Sequence, residues 1–422
     1  MTIMLAGAGV GTAFASTQAT ETHATETPAI KAHANRGQLV SVTPLRTLAD
    51  RAAVKAELTS EGFSTTDARY GVRTYRLVYR TVDAHGRPTT ASGLLALPIG
   101  GPPALTAVSF DHGTESTRSD APSMQSRGFE QATAYTYASA GFAAAEPDYL
   151  GLGTGPGPHP WMDVPSETTA SQDMLRATRS YVTSHGHQLR RPVMVTGFSQ
   201  GASAALGLGR ALQDGADNWF RLGALAPISG AYDLRNAELP AMMDGELVTL
   251  NPDHQLGAKY TVLYSAYALV AFNRLYHIYS TPAEVFAPAY AGTIEQLFDG
   301  NHTGDQLFAG TPGTLDKLLT PHGFALMRHP VGGLATALRN YSRVCTGWTP
   351  AAPTRLYMAD RDEQAVNANT WHCRAQFAAS HSPVTVIDLG TPDHDGSRHF
   401  GSEVAGTAQI VDWFLHLSHA AR

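Results

Sequence analysis

"PVMVTGFSQG", residues 192–201, decides how this chain is read. Pro192-Val193-Met194-Val195 has the look of a short buried strand, and "ASAALGLGRALQD" (202–214) follows as an alanine- and leucine-rich helix. Between them Gly197-Phe198-Ser199-Gln200-Gly201 must turn sharply. A G-x-S-x-G turn between strand and helix is the nucleophile elbow. The serine is held in a strained backbone conformation, and glycines on both sides let the chain fold back tightly. The helix then points free N–H groups and the positive end of its dipole at the reacting centre. With 40 Gly in 422 residues the bare string is weak evidence. Its reading as a nucleophile depends on a base, an acid and oxyanion donors elsewhere in the chain.

Working outward, strands and helices alternate. "VRTYRLVYRTVDAHGRPTTASGLLALP" (72–98) reads as a hairpin around a His-Gly turn. "ALTAVSFDHGT" (104–114) and "GFAAAEPDYLGLG" (141–153) are apolar strands running into loops, and "ETTASQDMLRATRSYVTSHG" (167–186) is an amphipathic helix. "LGALAPISGAYDL" (222–234), "PTRLYMADRDEQAV" (353–366) and "PVTVIDLGTPDHDGSRH" (383–399) repeat the strand-into-loop pattern, a helix is expected over 366–380, and "SEVAGTAQIVDWFLHLSHA" (402–420) is a closing amphipathic helix. This alternation predicts an α/β fold whose central sheet is mostly parallel and has helices on both faces. Chemistry in such a sheet gathers at the carboxyl ends of the strands, where Asp111, His112, Asp148, Ser199 and Ser229 fall.

Residues 235–340 break the rhythm with helical pieces only, among them the tyrosine-rich "YTVLYSAYALVAFNRLYHIY" (260–279). We read them as a helical cap insertion over the site, with the stripe Tyr260, Leu263, Tyr264, Tyr267 and Val270 mostly core and partly lining an acyl pocket. The expected organisation is 1–15 signal peptide, 16–36 flexible leader, 37–234 first part of the core, 235–340 cap and 341–422 second part of the core. The signal-peptide reading rests on an apolar run ending in Ala13-Phe14-Ala15, although no Lys or Arg precedes Lys31. It makes the protein secreted.

Bulk properties narrow the partners. A net charge of −6 with no Lys/Arg block argues against nucleic acid and against docking on anionic lipid. No segment reaches the ~20 apolar residues of a membrane span; transient contact with a lipid interface stays open. No cofactor and no metal is expected. Asp393-x-Asp395-Gly396 lacks the remaining ligands of a calcium loop, and "HGH" (185–187) is too little for zinc. A monomer is expected. Cys345 and Cys373 either pair in an oxidising compartment or stand as two separate buried thiols.

Downstream of Ser199, two late loops offer an acid and then a base. A serine hydroxyl needs a base to take its proton, and the imidazole needs a carboxylate to hold its tautomer. "MADRDEQAVNAN" (358–369) supplies Asp362, with Asp360 as second choice and Glu363 beside them. "LGTPDHDGSRHF" (389–400) supplies His394, preferred because it follows the strand and turn directly, with His399 as second choice. The two oxyanion donors are expected to be the backbone amides of Gln200 and, in "FDHGTES", Thr114.

The set "DHGT", "PDYLGLG", "SQDMLRATR", "VTGFSQGASAAL", "APISGAYDL", "MADRDEQAV" and His394–Ser397 resembles the bacterial and fungal secretory lipase family of α/β-hydrolases, which includes lipase A-like enzymes. The resemblance covers roughly residues 70–418. It implies secreted hydrolysis of carboxylic esters, acylglycerols included, through an acyl-enzyme on Ser199, with Asp362 and His394 as acid and base. Two departures bear on substrate preference: Gly201-Ala202 stands where the family has Gly-Gly, and Ala359 where it has a glycine. "PDYLGLG" is read as a brace for the neighbouring loop. Two other readings are carried. One is an exported serine peptidase with a terminal-amine site built from Glu246, Glu284 or Glu295. The other is a non-catalytic binding protein on the same fold.

Overall fold

The computed structural model describes residues 35–381 and 384–420. The expected signal peptide, and the leader up to residue 34, lie outside the described residues. Arg36, assigned to that leader, is tied to the core: its guanidinium Nε donates to Asp173 Oδ2 at 2.9 Å.

Nine strands form one sheet: β1 (Leu39–Leu48), β2 (Gly71–Val82), β3 (Pro88–Ile99), β4 (Ala104–Asp111), β5 (Ala143–Pro147), β6 (Gln188–Phe198), β7 (Arg221–Ile228), β8 (Arg355–Met358) and β9 (Thr385–Asp388). Their spatial order is β1-β2-β3-β5-β4-β6-β7-β8-β9. The first three strands and β5 pair antiparallel, and from β5 onward every pairing is parallel. The elbow strand β6 is central, flanked by β4 and β7. The fold class is therefore the one expected.

Side-chain alternation sorts the core into two faces. Val193 and Val195 of β6 and Leu225 of β7 pack on one side, beneath α3 (Val164–Ser184) and α4 (Gln200–Gln213). Met194, Ala224, Ala226 and Ile228 pack on the other. There they meet α1 (Arg51–Ser60), α2 (Phe129–Ala140) and α9 (Arg398–Ala420) through Leu58, Tyr135, Tyr137, Ile410 and Phe414. Fully burying one aromatic or aliphatic chain of this kind contributes ~1.5–3 kcal/mol, so both layers hold the sheet and its loop ends rigid.

Three elements were not expected from sequence: β1, α1 and α2. α2 is buried on every side from Gln131 to Ala140, so it carries no amphipathic stripe. β1 is an edge strand with two register shifts against β2, which erase a clean alternation.

Between β7 and β8 the chain is helical among the described residues. Its longest element is α5 (His254–Tyr276), followed by α6 (Pro321–Arg328) and α7 (Gly332–Tyr341). These helices share a core of their own, including Val262, Leu269, Phe286, Leu318 and Leu334. A Cys345–Cys373 disulfide ties the segment after α7 to α8 (Ala368–Ala379). Closing a loop across a separation of 28 residues contributes ~3–4 kcal/mol by restricting the unfolded chain.

Candidate active site

Ser199 stands at the tip of the turn between β6 and α4 with φ 55° and ψ −117°. A non-glycine residue there is strained, and the packing around it shows what holds it. A Cβ on Gly197 would run into the Gly201 carbonyl, and one on Gly201 into the Asp111 carbonyl, so both positions admit only hydrogen. The Ser199 amide is anchored on the Ile228 carbonyl at 3.0 Å.

His399 Nε2 lies 2.8 Å from Ser199 Oγ. Its Nδ1 lies 2.9 Å from both carboxylate oxygens of Asp362. The carboxylate fixes the proton on Nδ1, which leaves Nε2 free to accept from the serine hydroxyl. Asp362 and His399 are both essentially sealed from solvent, so this pairing acts in a low-dielectric setting. Asp362 Oδ1 also accepts from the amides of Gln364 and Ala365, each at 2.9 Å, which holds the carboxylate in place.

Glu363 positions the histidine. Its carboxylate accepts from Ser397 Oγ at 2.5 Å, from the Arg398 amide at 3.2 Å and from the His399 amide at 3.3 Å. The two amides are orphan N–H groups at the start of α9, where negative charge is favoured. The Ser402 hydroxyl donates to the His399 carbonyl at 2.6 Å and is itself 2.7 Å from Ser229 Oγ.

Gln200 and Thr114 both line the cavity with Ser199, and among the described residues no protein acceptor takes either backbone amide. The Thr114 hydroxyl accepts from Trp161 Nε1 at 3.0 Å. Gln200 Nε2 donates to Glu167 Oε1 at 2.7 Å and to His159 Nε2 at 2.9 Å. Burial pushes His159 down to about 3, which keeps its ring neutral and able to accept. The "DHGT" loop is braced by "PDYLGLG": the Tyr149 hydroxyl donates to the His112 carbonyl at 3.1 Å, and Asp148 accepts from the Ser123 amide at 2.9 Å.

A cavity opens from Ser199 into the helical segment. Trp161, Leu239, Met242, Phe272, Met327 and Leu338 give it an apolar wall. Trp161 stacks on Tyr267 at 5.0 Å between ring centroids, and the Tyr267 hydroxyl donates to the Glu115 carbonyl at 3.1 Å. The loop carrying Thr114 is thereby fastened to α5.

No family model matches the chain, and no curated sequence matches it. Solved structures do. An esterase LipA from Xanthomonas oryzae, described as degrading the rice cell wall, superposes with a TM-score of 0.76 at 27% identity, over 92% of this chain and 100% of that one. A protein of Legionella pneumophila superposes at 0.77 with 23% identity, over 90% and 98%. Candida antarctica lipase A in its closed state superposes at 0.59 with 13% identity, over 84% and 76%. The last two speak to the fold alone. This chain has the α/β-hydrolase fold. Its fold is the one carried by these esterases and lipases.

The geometry of the site corrects one expectation from sequence. His394, preferred as the base, does not approach Ser199; His399, the second choice, does. His394 packs on Phe129 with ring centroids 4.9 Å apart, and among the described residues the one carboxylate paired with it is that of the exposed Asp395, at 3.8 Å. The cause is a tight reversal. His394 and Ser397 exchange both backbone hydrogen bonds at 3.0 Å, with Asp395 at φ 52° and Gly396 at φ 84° between them. Asp395-Gly396 is thus a two-residue hairpin turn, which also accounts for the fragment that resembled a calcium loop. The chain must pass this reversal and begin α9 before an imidazole comes over the elbow. Asp360, second choice as acid, is exposed, whereas Asp362 meets the histidine. Glu246, Glu284 and Glu295 are all exposed and none lines the cavity. Among the described residues no group of His, Cys, Asp and Glu is arranged to hold a metal, and no helix is long and apolar enough to cross a membrane.

Proposed function

We propose that this α/β-hydrolase is a serine carboxylic-ester hydrolase working through an acyl-enzyme. One observation carries the reading: Ser199 Oγ within 2.8 Å of a histidine whose far nitrogen is clasped by a buried aspartate, at the mouth of an apolar cavity. The similarity to an esterase over the whole of that chain supports the same bond class. Ser199 Oγ attacks the ester carbonyl carbon as its proton passes to His399 Nε2. Asp362 stabilises the imidazolium. The amides of Gln200 and Thr114 receive the oxyanion of the tetrahedral intermediate. Collapse breaks the C–O bond to the alcohol, which leaves with the proton from His399. Water then attacks the acyl-serine, giving its proton to His399; collapse returns that proton to Ser199 and releases the carboxylic acid.

We further propose that the protein works outside the cytoplasm. The Cys345–Cys373 disulfide supports this, because such bonds persist in oxidising compartments. The peptidase reading has no support from Glu246, Glu284 or Glu295, which lie away from Ser199.

The test uses p-nitrophenyl butyrate and a fluorophosphonate probe. Wild type should turn over the ester and be labelled on Ser199, and Ser199→Ala should lose both, with at least a ~10⁴-fold drop in kcat and an unchanged melting temperature. Near-normal hydrolysis by Ser199→Ala would sink the proposal.

A further inference from the structure

The two oxyanion residues come from different parts of the chain, and one short loop holds both. Thr114 follows β4, and Gln200 opens α4. The loop bearing Thr114 lies against the elbow: a Cβ on Gly113 would come 3.1 Å from the Phe198 ring and 3.8 Å from Ser199 Cβ. Two residues apart on the loop after β5, His159 reaches the Gln200 side chain and Trp161 reaches the Thr114 side chain. His159 Nδ1 lies 2.9 Å from the Leu150 carbonyl and so carries the proton. Its Nε2 is left to accept from Gln200 Nε2 at 2.9 Å. The other proton of that amide goes to Glu167 Oε1 at 2.7 Å, which fixes the Gln200 side chain completely. The indole N–H of Trp161, a donor only, meets Thr114 Oγ1 at 3.0 Å.

The loop is itself clamped. A Cβ on Gly151, which has φ 74°, would run into the Pro158–His159 peptide, so the loop is seated on the glycine of "PDYLGLG". Pro160 limits the backbone between the two gripping residues. Met162, buried directly after them, holds the strained value φ 60°. Tyr149 stacks on His159 with ring centroids 5.8 Å apart. Three rings of α5 stack on Trp161, Tyr264 at 6.2 Å, Tyr267 at 5.0 Å and Phe272 at 6.0 Å. Among the described residues neither His159 nor Trp161 hydrogen-bonds to Ser199, His399 or Asp362.

We propose that His159 and Trp161 are positioning residues that together set the spacing of the two oxyanion donors, the amides of Gln200 and Thr114. The inference rests on the ester-hydrolase reading above and adds residues to that same site. Each donor must meet the oxyanion at about 2.7–3.1 Å, and a misplacement of about 1 Å can cost a hundredfold. The elbow alone holds Gln200, and β4 alone leads into Thr114. A rigid segment that grips both residues converts two independent positions into one fixed distance. Its effect is felt where negative charge develops, in the transition state, and not where the ester first binds.

The experiment measures kcat and KM on p-nitrophenyl butyrate and Ki for an alkyl trifluoromethyl ketone. Ser199 Oγ adds to the ketone carbon of that inhibitor as its proton passes to His399, and the ketone oxygen becomes an oxyanion in the hole. Trp161→Phe removes the indole N–H and keeps a stacking ring; His159→Leu removes the acceptor of Gln200. Each should lower kcat about tenfold or more with KM within about threefold, and raise Ki by a similar factor. His159→Gln, which still offers an acceptor, should recover most of the loss. The double variant should lose clearly less than the product of the single losses, because either change alone already frees the spacing. Normal kcat in Trp161→Phe and His159→Leu overturns the proposal, as does a loss confined to KM or one that leaves Ki unchanged. A double variant whose loss equals the product would contradict a shared device. If His159→Leu does not fold, Trp161→Phe decides by the same kcat and Ki criteria. No turnover of the ester by wild type would sink the hydrolase reading itself, an outcome distinct from active variants.

Discussion

The strand ends and the helical segment between β7 and β8 are built on opposite terms. Six non-glycine residues with positive φ sit in the loops after β5, β6, β7, β8 and β9: Tyr149, Met162, Ser199, Ser229, Arg361 and Asp395. The strand ends also bury Asp111 and His112 at the end of β4, Asp148, Asp362 and Glu363 in the loops after β5 and β8, and His399 at the start of α9. Between 235 and 340 only His277 has a positive φ outside glycine. There the helix starts are satisfied locally, by Asp253 on the amides of Gln255 and Leu256 and by capping boxes at Thr281 and Thr303. Strain and buried charge collect where reacting atoms must be held; ordinary caps and apolar packing suffice where a cavity only needs a shape. Bond chemistry and substrate shape are thus separable in this molecule, and each can be perturbed without the other.

Glu363→Ala sharpens that division on the strand-end side. Without its carboxylate the amides at 398 and 399 and the Ser397 hydroxyl lose their acceptor, and the start of α9 loosens over Ser199. We expect kcat to fall about a hundredfold with KM little changed, and Glu363→Gln to recover a good part of it. A rise in KM at unchanged kcat would show that the residue shapes the cavity instead. Leu338→Trp probes the other side. Extra volume at this cavity position should cut kcat/KM for long-chain p-nitrophenyl esters about tenfold relative to the acetate. An equal loss on acetate would mean that the helical segment is not separable from the chemistry.

How much of this was legible in the chain depends on how local each signal is. The elbow needs five residues and two flanking elements, and Asp362 follows from its place after β8. His394 was preferred for its place directly after the strand and turn, but the choice depended on the reversal at Asp395-Gly396 and on a helix start fixed by Glu363 from another loop. The second of those is a tertiary contact that no local pattern carries. α2 escaped because a helix buried on all sides shows no periodic face, although Gly128 before it and Gly141 after it were boundary signals. β1 escaped because edge pairing with bulges leaves little alternation, while α1 could have been found from Asp50, whose side chain caps it at the Ala53 amide.

The most direct measurement sets His399→Ala beside His394→Ala in one assay, reading kcat on p-nitrophenyl butyrate and melting temperature together. The account predicts at least a ~10⁴-fold loss for His399→Ala, a change within about threefold for His394→Ala, and two folded proteins. A collapse of kcat in His394→Ala with His399→Ala still active would contradict it.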